Sequence, residues 1–321
     1  MFGIKRSSAT LSILMARFIA WRVAQFPLIL AAIYLITFLL AWVAPGSPFD
    51  RTERKLPPAV EQSLKRSFHA EHWYGFLAYY PKNVLLSGDF GRSFNYEEFT
   101  VNDILRTSLP VSVTLGMCAM VIATFAGVGL GVLAAVRRGG TWDGVSLTVA
   151  LLGVSVPAFV IAAALSAIFC IKLRWLPFGQ WGNWRDLLLP SVALSLMPMA
   201  YIARLMRVAM IDVLAGDFVR TARAKGLSNS VVIWKHCLRN AFLPVLSYLG
   251  PAAAMTLTGS FVVEKVFNIP GLGQHFVNSV LNRDQTLILG TVMVYSVFLL
   301  TFNLLVDIGY AVVDPRIELG K

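Results

Sequence analysis

Six stretches of this sequence run without a charged side chain over lengths close to the thickness of a lipid bilayer, and that pattern fixes the class of fold. They lie between Arg22 and Asp50, Arg106 and Arg137, Asp143 and Lys172, Asp186 and Arg204, Arg239 and Glu264, and Asp284 and Asp307. A helix rising about 1.5 Å per residue needs about 20 apolar residues to cross hydrocarbon, and a charge at its centre costs on the order of 3 kcal/mol. Only 14% of the residues are charged, well below the roughly 25% of an average soluble domain. The chain therefore reads as an all-α, polytopic membrane protein with about six transmembrane helices. The fourth run, "LLLPSVALSLMPMAYIA", is the weakest because it is short and holds Pro190 and Pro198; a re-entrant segment or a buried helix is its alternative. The first, "VAQFPLILAAIYLITFLLAWVAP", is longer than a signal-peptide core and no A-x-A-like site follows it, so it reads as a retained span.

The sign of the charges orients the spans. Lys5, Arg6, Arg17 and Arg22 precede the first, Arg137 and Arg138 follow the second, and Arg204, Arg207, Arg220, Arg223, Lys225, Lys235 and Arg239 crowd between the fourth and fifth. Residues 45–107 carry acids and bases in balance. The positive-inside rule puts both termini, the 137–143 turn and the 204–240 loop in the cytoplasm, and 45–107 outside. The expected organisation is a cytoplasmic segment 1–22, a first span 23–44, an outer loop 45–107, a core 108–310 with five spans and the 204–240 loop, and a cytoplasmic tail 311–321.

Several function classes lose their residues on this reading. No span carries an ionisable group near its middle, which argues against an ion-coupled carrier. There is no HExxH, GxSxG or CxxC, and Cys118, Cys170 and Cys237 have no metal or disulfide spacing. His69 and His72 read as surface residues of the outer loop. The net charge of +11 does not imply nucleic acid, because the basic loop is tethered too close to the bilayer to admit a duplex. Gly127 and Gly131 in "GVGLGV" are spaced for close helix approach, while "GVSVPAF" and the two prolines of the fourth run predict kinks. In "LLSGDFGRSF" the two glycines predict a turn.

The 204–240 loop holds the most specific pattern. "GDFVRTARAKG" predicts a short basic helix with Asp217 as N-cap, Phe218, Val219 and Ala222 on one side, and Gly226 as a left-handed C-cap. "LSNSVVIWKHCLRNAFLPV" predicts a second helix capped by Ser228 or Ser230. So small an apolar face is not held by the membrane alone. The first helix either lies on the anionic inner leaflet or docks in a protein groove.

These residues resemble the inner-membrane permease subunits of binding-protein-dependent ABC importers, in their dipeptide/oligopeptide branch. The family's Glu-Ala-Ala triplet and following glycine fall on Arg220, Thr221, Ala222 and Gly226, where "RTARAKG" stands as in the peptide branch; "H-LRNA-LP" matches at His236, Leu238, Arg239, Asn240 and Pro244. "LAWVAPGSPFD", "GDFGRSF", "VVEKVFNIPGLGQHFVNSVLNRD" and "NLLVDIGYAVVDPRI" extend the likeness over nearly the whole chain, which is most similar to the B-type subunit of oligopeptide permeases. The resemblance implies a type I importer fold in the bacterial inner membrane and a coupling loop made by Arg220, Thr221, Ala222, Arg223, Ala224, Lys225, Gly226, Leu227, His236 and Arg239. It implies as partners a second, C-type permease subunit, two ATP-binding subunits that hold ATP and magnesium, an extracytoplasmic solute-binding protein and a peptide. The chain itself is expected to bind no cofactor, since its one Gly-Lys pair is Gly320–Lys321 and no phosphate-binding loop precedes it. Asp89, Arg92, Asn268, Pro270, Gly271 and Gly273 are candidates for an outer gate or binding-protein contact, against the alternative of plain connectors; Glu264 reads as a gate contact or an interface residue. Dipeptides, murein peptides, glutathione and nickel remain alternative cargoes.

Overall fold

The computed structural model describes residues 8–44, 50–51, 54–55, 62, 66, 72–96 and 98–313. Lys5, Arg6, Pro45, Gly46, Pro48, His69 and the tail after residue 313 lie outside the described residues.

All six uncharged runs fall on helices. The first lies on α1 (Ser8–Val43), the second on α3 (Val101–Val136) and the third on α4 (Thr141–Ser155) and α5 (Ala158–Leu165), which continues as a π-helical turn over Ser166–Lys172. The fourth lies on α6 (Trp184–Leu214), the fifth on α10 (Leu243–Phe267) and the sixth on α12 (Gln285–Val313). Shorter helices sit between them: α2 (Trp73–Ser87), α7 (Asp217–Ala224), α8 (Asn229–Val231), α9 (Leu238–Ala241) and α11 (Leu272–Leu281). A two-residue antiparallel ladder joins Asp50–Arg51 to Arg54–Lys55. Among the described residues four helices are long and apolar enough to cross a membrane, over Ala16–Val43, Val101–Val136, Trp184–Leu214 and Gln285–Gly309, and α4 with α5 pass the same test only as a bent pair, a broken span or a re-entrant loop. The 25-residue α10 occupies the remaining run.

The break falls in the third run, not in the fourth that looked weakest. Val156 adopts an extended conformation (φ −99°, ψ 123°) ahead of Pro157, as the proline ring demands of its predecessor, and the chain turns by 104° between α4 and α5. Pro190 and Pro198 are instead buried inside a continuous α6, where packed neighbours make up for the missing N–H groups.

Two compact units divide these helices. One takes α1 up to Gln25, Thr114–Asn268 and α12 from Leu299 onward. Within it, α6 lies against the small residues of α3 and α4. A Cβ on Gly131 would come within 2.6 Å of the Ala203 carbonyl and Met206, one on Gly127 within 2.8 Å of the Met199 carbonyl, and one on Gly153 within 2.7 Å of the Leu196 carbonyl. The glycine pair thus serves close backbone approach. Arg22 of α1 meets Asp307 of α12 at 3.1 Å, which sets the charged ends of the first and last runs on one side. The other unit takes Phe26–Val113 and Ile269–Phe298. Its core stacks Tyr34 on Tyr80 and Phe38 on Phe76 between α1 and α2, with the Tyr34 hydroxyl donating to the Leu77 carbonyl at 3.0 Å.

Candidate functional site

Helix α7 projects its two faces into different surroundings. Val219 and Ala222 are buried in a cluster with Val132 and Ala135 of α3, Met206 and Met210 of α6, and Val232, Cys237, Ala241 and Val245. The π-helical turn Val232–Cys237 puts Val232 and Cys237, five apart, both into this cluster. Burial raises the Cys237 thiol above its ordinary pKa, while the Arg223 charge pulls the other way. Arg220, Thr221, Arg223, Ala224, Lys225 and Gly226 all face outward, together with Phe218 (43% exposed), Leu227, Val231 and Trp234 (58%). Phe218 therefore does not share the buried side with Val219 and Ala222, because two positions in register are enough to seat so short a helix.

The ends of α7 are made by backbone. Gly216, not Asp217, occupies the N-cap, and no side chain caps the helix; Asp217 stands one residue later, where its carboxylate suits the helix dipole. At the other end Gly226 has φ +79°. The Gly226 N–H donates to the Arg223 carbonyl at 2.9 Å and the Leu227 N–H to the Ala222 carbonyl at 3.3 Å, the bond pair that closes a helix on a left-handed residue. The Arg220–Asp217 ion pair, at 3.7 Å and almost fully exposed, adds little. Ser228 takes the N-cap position of the following segment without a side-chain bond. His236 is half-buried and its carbonyl accepts from Asn240 at 3.5 Å; Arg239 is exposed beside it.

A second feature of this unit went unread in the sequence. Arg207 of α6 grips Asp143 at the start of α4 with both arms of its fork, Nε to Oδ1 at 2.6 Å and Nη2 to Oδ2 at 2.9 Å, and the Gly139 N–H donates to Oδ2 at 2.9 Å. In sequence terms Asp143 only marked where an uncharged run begins, and Arg207 was one of the cations of the 204–240 loop.

At the outer candidates the structure rearranges the cast. The glycine turn is present, Gly88 at φ +63° closing α2 and Gly91 at φ +83°. Asp89 accepts from the Gly91 N–H at 2.9 Å, and Arg92 contributes backbone, its carbonyl accepting from Thr286 Oγ1 at 2.8 Å. The centre of the turn is Asp284, fully buried. It accepts from Ser93 Oγ, from Asn95 N–H at 3.2 Å, from Thr286 Oγ1 at 2.9 Å and from Leu287 N–H at 3.1 Å. Gly271 caps α11, Gly273 is buried within it, and the Leu272 N–H donates to Ser112 Oγ at 2.8 Å; Pro270 stays exposed. Asn268 ends α10 in the left-handed region at φ +53°. Glu264 is fully buried.

Residues 127–319 match the family of binding-protein-dependent transport system inner membrane components. The chain belongs to this family. As a permease subunit it is 43% identical over 96% of its length to the dipeptide transport system permease protein of Bacillus subtilis, covering 99% of that protein. It is 44% identical to the oligopeptide transport system permease protein of Haemophilus influenzae and 43% to that of Escherichia coli K12, over 95% of this chain and all of each relative. The permease is a multi-pass inner-membrane protein and a transport component, not an enzyme. Its family works with a further permease, an ATPase and a binding protein, so the energy for transport enters from another polypeptide.

Proposed function

We propose that this chain is the B-type permease of an oligopeptide importer, paired with a C-type permease above two ATP-binding subunits and supplied by an extracytoplasmic solute-binding protein. The carrying observation is α7: a helix fixed on the core by Val219 and Ala222, closed at Gly226, and offering Phe218, Arg220 and Arg223 outward, with Trp234 of the following π-helical turn also exposed. Apolar anchors among cations suit a groove in another protein better than the leaflet surface alone. The names of its relatives, dipeptide and oligopeptide permeases, support peptide as cargo. The test is uptake of labelled peptides of two to five residues by proteoliposomes holding the four subunits, with binding protein outside and ATP inside. ATP-dependent uptake that longer peptides compete for is the expected result; uptake driven by an ion gradient without ATP would overturn it.

Both termini, the 137–143 turn and the α7 loop belong on the cytoplasmic side in this reading, and the Arg22–Asp307 pair supports placing the two ends together. Exposed Leu85 of α2 and exposed Trp234 report the two sides. In a chain whose native cysteines are replaced, Leu85→Cys is expected to react with a membrane-impermeant maleimide in spheroplasts and Trp234→Cys only after lysis. The reverse pattern inverts the topology.

A further inference from the structure

We infer that Asp143 and Arg207 form a positioning clamp that makes α3, α4 and α6 move as one body with the coupling helix. Helix α6 ends just before Gly216 and α7, so a push on α7 arrives first at the end of α6. Seven helical steps lead from Arg207 to the end of α6 at Leu214, a lever of about 10 Å at the helical rise. Whether that push reaches the bent α4–α5 pair depends on what ties α4 to α6.

The structure provides two ties at different heights. Gly153 lets α4 lie on the Leu196 backbone and the Ala200 methyl of α6, and the Asp143–Arg207 pair joins the start of α4 to the later part of α6. Packing between α4 and α6 runs along both helices but is non-directional, so by itself it tolerates small rotations and slides. The bidentate fork prevents this, because two parallel N–H···O bonds fix both the rotation and the axial register of Arg207 against the carboxylate. Asp143 is only 8% exposed and also holds the Gly139 N–H, so the turn leaving α3 is fixed by the same group. From there α4 leads directly to the 104° bend at Ser155–Ala158. A buried ion pair is a poor source of net stability but a good source of unique geometry, and a geometric role is what a transmission element needs.

The inference rests on α7 being the ATPase contact, and the experiment separates the two. In the reconstituted four-subunit importer, the ratio of peptide imported to ATP hydrolysed is measured for Asp143→Asn, Arg207→Gln and the double variant. A clamp acting as one unit lowers the ratio about fivefold or more in each single variant, the lower end of ordinary coupling effects, and no further in the double. A merely structural loss reduces import and hydrolysis together and leaves the ratio unchanged. An unchanged ratio, or losses that multiply in the double variant, overturns the clamp. Should these variants fail to assemble, Arg207→Lys, which keeps the charge but not the fork, is expected to give a lowered ratio, and a wild-type ratio there overturns the clamp as well. Gly226→Val, tested alongside, addresses α7 independently: a wild-type ratio for it removes α7 as the ATPase contact, whatever the clamp variants do.

Discussion

Gly226→Val is expected to cut ATP-driven peptide import at least tenfold while the chain still inserts and is recovered from the membrane. Gly226 sits at φ +79°, and an added Cβ there meets nothing within 4 Å, so the cost is backbone conformation alone. A β-branched residue at positive φ costs on the order of 1–2 kcal/mol. The chain escapes this strain by leaving the left-handed region. It then loses the Gly226-to-Arg223 and Leu227-to-Ala222 bonds, each worth about 1 kcal/mol, and α7 loses its fixed direction relative to residues 229–241. Spans depend on apolar length and not on this turn, which is why insertion survives. Gly226→Ala, without the β-branch, is expected to retain more import than valine. Proteoliposome uptake measures both, and a valine variant with half or more of wild-type import would contradict a rigid coupling turn.

The spans and α7 were legible in the sequence because each is written locally. A run without charge is a property of consecutive residues, and Gly226 follows Ala222 at the distance a helix end requires. Asp143 and Arg207, 64 positions apart, appear in sequence only as a boundary and as one more inward cation; nothing local says that they meet. Asp284 was hidden in the same way, while its neighbours Asp89 and Arg92 stood out beside a glycine turn to which they contribute little side-chain bonding. The prolines teach a related lesson. Pro157, Pro190 and Pro198 are the same residue in similar apolar runs, yet only Pro157 breaks its helix. Pro190 and Pro198 are buried in α6, and that packing decides the matter where propensity alone predicts three kinks.

Asp284→Ala is expected to destabilise the unit built from Phe26–Val113 and Ile269–Phe298 by about 3–5 kcal/mol, combining a lost helix cap with the stranding of buried donors. Asp284 precedes α12 and its carboxylate collects bonds from Ser93, Asn95, Thr286 and Leu287, so it both starts the last helix and pins the 93–96 turn. Alanine removes the acceptor of the buried Leu287 N–H and of Ser93 Oγ, while Thr286 Oγ1 keeps the Arg92 carbonyl and the Asn95 N–H keeps Ser93 Oγ. Asparagine caps helices as well as aspartate does, but replaces one carboxylate oxygen by a donor that cannot accept from Ser93 and Asn95. Asp284→Asn is therefore expected to fall between wild type and alanine. Ser93→Ala removes one of the same bonds, so its effect combined with Asp284→Ala is less than the sum of the two. Protease cleavage near residues 93–96 and thermal unfolding of the purified permease follow these losses. An alanine variant as resistant as wild type would mean that the turn is held by packing around Phe94 and Tyr96, and that the carboxylate is dispensable.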